Sequence, residues 1–122
     1  MVRKSIYDQM TRAEREVAEL LKDLDIIWSY EHPVFVWDEH KRPRVWTPDF
    51  FLMQFGVYIE VCGSREFDYE YRRKIYDKNG HNVIFLHLYK ESKKWKNHLF
   101  IFLQLFNNEQ NYKLNEILRK EK

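Results

Sequence analysis

Glu60 lies in Gly56-Val57-Tyr58-Ile59-Glu60-Val61-Cys62, an apolar run in which an unpaired carboxylate would be costly to bury. Strand alternation sends Tyr58, Glu60 and Cys62 to one face and Val57, Ile59 and Val61 to the other. A second acid, Asp49, stands in Thr47-Pro48-Asp49-Phe50-Phe51-Leu52, another apolar run, separated from the first by a short turn at Gln54-Phe55-Gly56. Hairpin pairing would bring the two carboxylates together, where they repel. The repulsion is relieved by a raised pKa, by a basic partner, or by a hard divalent cation such as Mg2+, which prefers carboxylate oxygens. A purely structural account makes Asp49 a turn or strand-edge residue beside Pro48, and Glu60 the ion-pair partner of an arginine such as Arg44.

Glu14 is a third candidate acid. Positions 14, 17, 18 and 21 share one helical face, and Val17, Ala18 and Leu21 are apolar, so this carboxylate points toward the body of the protein. Thr11 and Glu14 also have the spacing of a capping box, which explains Glu14 without chemistry; the two roles are compatible.

The elements that must hold these residues follow from periodicity and breakers. A helix is expected over 12–24. Runs at 26–30, 34–37, 44–53 and 57–61, rich in β-branched and aromatic residues, predict consecutive strands of a largely antiparallel sheet. A charged, tyrosine-rich helix over 67–78 ends at Asn79-Gly80, where glycine suits a left-handed cap. The apolar run 82–88 reads as a strand joined to its predecessor by a parallel crossover. Two helical segments, 92–106 and 109–119, close the chain. The expectation is an α/β fold in a single domain spanning 1–122, with a core at about 11–90 and a C-terminal helical extension at about 91–122.

In that order and context, Glu14, Pro48-Asp49 and Glu60-Val61-Cys62 resemble the PD-(D/E)XK, or restriction-endonuclease-like, nuclease superfamily, to which Holliday-junction resolvases also belong. Thr47-Pro48-Asp49-Phe50, Tyr58 to Gly63, Tyr71 through Gly80 and Val83-Ile84 look like the branches whose motif begins Thr-Pro-Asp. The resemblance covers Thr11 to about Leu88 and leaves the last helices uncovered. It implies an αβββαβ core with a mixed central sheet flanked by helices, and a metal-dependent DNA endonuclease of repair, recombination or mobile-element processing. It also implies that Asp49, Glu60 and the Val61 carbonyl hold Mg2+ or Mn2+, with Glu14 acting directly or through water. Cys62 stands where the pattern has its catalytic lysine, and a displaced base from the next helix would replace it: Lys74 first, Arg72 second. Cys62 has no zinc-type partner spacing and reads as a small buried side chain.

For DNA contacts, Asp38 to Arg44 forms a hairpin tip whose Lys41, Arg42 and Arg44 could hold phosphates, joined by Arg72 and Arg73; Lys90, Lys93, Lys94 and Lys96 make a second basic cluster. The formal net charge is only +2, so a polyanion surface must come from such local clustering. One cysteine excludes an internal disulfide, and the first eleven residues are too polar for a secretory signal, so an intracellular site, cytoplasmic or nuclear, is expected. No run is long enough to span a bilayer. Because one site cuts one strand, a homodimer or a larger nucleic-acid-processing complex is a natural partner state. Two competing expectations are a catalytically inert DNA-binding member of the same fold, suggested by Cys62, and a protein-interaction subunit docking through the apolar 99–106 helix.

Overall fold

The computed structural model describes residues 5–65, 67–90 and 94–120. Lys93 of the predicted basic cluster therefore lies outside the described residues. After a short 3-10 turn at Ile6–Gln9 comes helix α1, Arg12–Asp23. Its start is fixed reciprocally. Thr11 Oγ1 accepts from the Glu14 N–H at 3.1 Å, and Glu14 Oε1 accepts from the Thr11 N–H at 2.9 Å. Val17, Ala18 and Leu21 are buried on its inner face.

Six strands follow: β1 (Trp28–Tyr30), β2 (Val34–Trp37), β3 (Pro43–Trp46), β4 (Phe50–Leu52), β5 (Val57–Cys62) and, after helix α2 (Tyr69–Lys78), β6 (Val83–His87). Four of them form one mixed sheet in the order β1-β4-β5-β6. The β1-β4 and β4-β5 pairs are antiparallel and β5-β6 is parallel, with α2 as the crossover. Gly80, just past α2, takes the left-handed conformation foreseen for it, with φ of 75°.

Two expectations need correction. The single run 44–53 is in fact two strands in two sheets, because Thr47-Pro48 breaks it and Pro48, fully buried, has no N–H for a ladder. Thus β2 and β3 pair only with each other, as a hairpin beside the main sheet. The two C-terminal helices are one 27-residue helix, α3 (Lys94–Lys120), about 40 Å long. Asn107 and Asn108 interrupt the apolar pattern but not the backbone; no glycine or proline stands there, and an i,i+4 ion pair between Lys113 and Glu109 supports the exposed turns.

Alternation sorts the side chains onto two cores. Phe50, Leu52, Val57, Ile59, Ile84 and Leu86 face α1 and α3, packing with Val17, Leu21, Trp95, Leu99 and Leu103. Cys62 and Phe85 face the opposite way, toward Ile75 and Tyr76 of α2 and Val34 and Val36 of the hairpin. The apolar 99–106 stretch is split between core and surface: Leu99 and Leu103 are buried and Phe102 and Phe106 pack against them, whereas Phe100, Ile101 and Leu105 are exposed. Among the described residues, no helix is long and apolar enough to cross a membrane.

The split character of α3 is testable. Leu99→Ala, at a fully buried site, should cost about 3 kcal/mol in urea denaturation. Ile117→Ala, at a site 57% exposed, should cost less than about 0.5 kcal/mol. Equal costs would mean that the far end of α3 is packed in solution.

Candidate functional site

The site forms where β4 stops. The β4-β5 pairing ends at Phe50 opposite Ile59, so Val61 extends past the last paired residue of its neighbour. Along β5 the parallel ladder to β6 uses the Tyr58 N–H and the Cys62 carbonyl, at 2.9 and 3.0 Å. The polar groups of Val61 consequently face the β4 side, where Asp49 Oδ2 accepts its N–H at 2.7 Å. Asp49 is also held through its own carbonyl, which accepts from the Glu31 N–H at 2.9 Å.

Glu60, one residue earlier on β5, points to the α2 face. Its Oε1 accepts from Tyr76 OH at 2.8 Å and from Arg72 Nη2 at 3.1 Å. Arg72 is fixed from below: its guanidinium lies 4.6 Å from the Trp46 ring centroid, and Nη2 also donates to Tyr76 OH at 3.1 Å. The buried Nε of Arg72 makes no hydrogen bond among the described residues. Asp49, Glu60, Val61 and Arg72, with Gly63 and Ser64, line an open cleft of about 580 Å³.

Electrostatics follow from this geometry. Burial, the Glu60 charge, and the charge and hydrogen bond of Glu14 push Asp49 up to about 7, against the lowering effect of the Val61 N–H. Burial also raises Glu60, with Arg72 and Tyr76 pulling the other way. Burial and the two acids push the Cys62 thiol up to about 12, so it stays neutral. The donor set, hard carboxylate oxygens under mutual repulsion, matches a hard divalent cation in chemistry. Among the described residues, no group of three or more His, Cys, Asp or Glu side chains has the geometry to hold a metal ion.

The structure thus brings Asp49, Glu60 and Val61 together with Arg72, the second-ranked of the two helix candidates. Three other placements are corrected. Glu14 is buried behind the cleft rather than lining it; Oε1 caps α1 and Oε2 accepts from Tyr30 OH at 2.9 Å, so it acts on Asp49 and not directly in the cleft. Lys74 is exposed and away from the cleft, because Arg72, Ile75 and Tyr76 occupy the inner face of α2 and position 74 falls on its outer side. Arg44 pairs with Asp38 at 3.1 Å, not with Glu60.

At the hairpin tip, Asp38 Oδ1 accepts from the His40 and Arg42 N–H groups, both at 2.9 Å, which leaves Lys41 in a left-handed turn. Lys41 and Arg42 are exposed there. Arg73 is exposed, 3.8 Å from Glu70, and does not line the carboxylate cleft. Tyr30, Trp46 and Tyr76 were not foreseen as parts of the site. For Tyr76, the i,i+4 spacing from Arg72 was the available signal; Tyr30 and Trp46 reach the site only through tertiary packing.

Compared with protein families, curated proteins and solved structures, the chain matches none.

The raised Asp49 makes metal-free stability pH-dependent. With a folded pKa of about 7 against an ordinary 3.8, its stabilising contribution is complete below about pH 4 and is lost as the pH rises through 7. A shift of that size corresponds to about 4 kcal/mol. Asp49→Asn keeps an acceptor for the Val61 N–H but carries no charge. In EDTA, its stability relative to the parent should therefore improve by about 2 kcal/mol or more between pH 4 and pH 8. A difference that does not change with pH would show that Asp49 is ionised without penalty.

Proposed function

We propose that the protein is a metal-dependent DNA endonuclease of the PD-(D/E)XK type that hydrolyses phosphodiester bonds. The observation that carries this reading is the pair Asp49 and Glu60: two largely desolvated carboxylates, one just before β4 and one on β5, on one open cleft, with the Asp49 pKa pushed up to about 7. A structural ion pair accounts for Glu60 with Arg72 but gives no reason to set a second buried acid beside them. Supporting the fold-level part of the reading is the element order. A helix, three strands, a crossover helix and a parallel strand reproduce the αβββαβ pattern once the β2-β3 hairpin is set aside as an insertion. Fold alone would not carry an activity.

In this reading Asp49 and Glu60 hold Mg2+ or Mn2+ with the Val61 carbonyl, and Glu14 raises the proton affinity of Asp49 from behind. When bound, the cation supplies positive charge for the scissile phosphate and favours its hydrolysis. The second positive charge falls to Arg72. It sits on the cleft, stays protonated, and supplies what neutral Cys62 cannot at the position of the usual lysine. Its bond to Glu60 also fixes the carboxylate that would bind the metal. Exposed Lys41 and Arg42 at the hairpin tip would contact phosphates without reading sequence.

One observation favours a second reading, a non-catalytic DNA-binding protein of this fold: the Arg72-Glu60 ion pair already neutralises one of the two acids. The two readings separate on labelled linear, single-stranded and branched DNA with Mg2+, Mn2+ or EDTA. We expect cleavage with a divalent ion and none in EDTA. Asp49→Asn and Glu60→Gln should each reduce the rate by about two to three orders of magnitude. Mg2+ should also raise the Tm of the parent at pH 8 more than that of Asp49→Asn. Binding without cleavage under every metal condition, with no Tm response, would establish the inert protein instead.

A further inference from the structure

A second cavity, of about 470 Å³, lies along β6 between α2 and α3. Among the described residues β6 is the last strand of its sheet and pairs only with β5, so one edge borders this cavity. The walls are aromatic, from Tyr69, Phe85, Trp95 and Phe102, and the rim is cationic, from Arg73, Lys90 and Lys94, with Glu70 the one acid among the described lining residues. The first turn of α3 contributes Lys94 and Trp95, adding the positive end of a long helix.

His87 lies between wall and rim. Its Nδ1 is buried and has no hydrogen-bond partner among the described residues. Burial, then Lys90 and His98, lower its pKa, so the ring is neutral. Aromatic lining and clustered cations are what a nucleotide requires: apolar surface for the base and charge for its phosphate.

Tyr69 lines both this cavity and the carboxylate cleft, so the two adjoin across the first turn of α2. We propose that the β6 cavity receives an unpaired nucleotide of the DNA strand whose phosphate occupies the carboxylate cleft. Its base lies among Tyr69, Phe85, Trp95 and Phe102, and its phosphate lies on Arg73, Lys90 and Lys94. A base stacked in continuous duplex cannot enter such a cavity; it must be single-stranded or splayed at a junction. This proposal deepens the nuclease reading by naming its substrate class, and it rests on that reading for the strand being the one that is cut.

The test is read without catalysis. In EDTA, anisotropy titrations compare a labelled single-stranded oligonucleotide, the same strand with one abasic position, and a blunt duplex. The proteins are the parent and the triple variant Arg73→Gln, Lys90→Gln, Lys94→Gln. All three triple-variant positions are exposed, so the fold should persist, as circular dichroism would confirm. We expect single strand to bind about tenfold tighter than duplex, a gain in the range that base stacking supplies. The abasic strand should lose most of that gain. The triple variant should bind single strand at least about tenfold more weakly and lower its salt slope by about 2, three contacts at about 0.7 each. Equal affinity for duplex, single strand and abasic strand would overturn the cavity proposal, even if the protein cuts DNA. The expected binding pattern in a protein that cuts nothing would retain the nucleotide cavity and discard the nuclease.

Discussion

The hydrogen bond from the Val61 N–H to Asp49 Oδ2 exists because β4 is too short. β5 continues past the end of its antiparallel partner, and a backbone donor left there must find an acceptor or be buried without one. Asp49 meets that need with a side chain where a longer strand would have used its carbonyl. The consequence is electrostatic. The same bond that satisfies Val61 holds a carboxylate beside Glu60, in a place where burial opposes its charge. Glu14, committed to capping α1 and to Tyr30, adds a third acid behind them. Three structural requirements, a cap, a strand end and a buried ion pair, thus converge on a concentration of negative charge that none of them requires by itself.

Arg72 shows how little of such a site depends on sequence spacing alone. Position 62 carries a cysteine whose thiol stays protonated, so in the proposed reading the cation would come from elsewhere. Arg72 and Lys74 are two positions apart, which on a helix is about 200°, so only one of them can face the sheet. Ile75 and Tyr76 decide which, because they are the buried residues of α2 and Arg72 shares their side. Trp46, arriving from the separate hairpin, then supplies an aromatic face that holds the guanidinium over Glu60. The hairpin is therefore part of the site's support, although it contributes no acid.

Local signals in the sequence were sound where the chain's own neighbours set the structure. The capping box at Thr11 and Glu14, the alternation that turns Glu60 away from Ile59, and the glycine after α2 all reflect interactions within a few residues. Signals that depend on distant packing were not legible. An apolar run at 44–53 looks continuous until tertiary structure assigns its halves to different sheets on either side of buried Pro48. Asn107-Asn108-Glu109 looks like an interruption because polarity rises there, yet a helix needs only its backbone hydrogen bonds, and exposed polar side chains do not disturb them. Of the site, the acids could be foreseen from the cost of burying them, whereas Tyr30, Trp46 and Tyr76 required knowing which surfaces meet.

The two cavities depend on one geometric fact about α2. Tyr69, Glu70 and Arg73 border the β6 cavity, and Tyr69 and Arg72 border the carboxylate cleft. Residues three and four apart on a helix share a face, so 69 and 73 fall together, as do 72 and 76, with Tyr69 between the two sets. Only about one turn of helix separates a negatively charged cleft from a positively charged, aromatic cavity. Opposite signs at that distance would act on a polyanion in complementary ways. The cationic side would hold a strand without help, while the acidic side would admit a phosphate only when its own charge is neutralised. In the proposed reading grip and chemistry would then be separable, because the charges that would attract a strand are not those that would have to be neutralised to cut it.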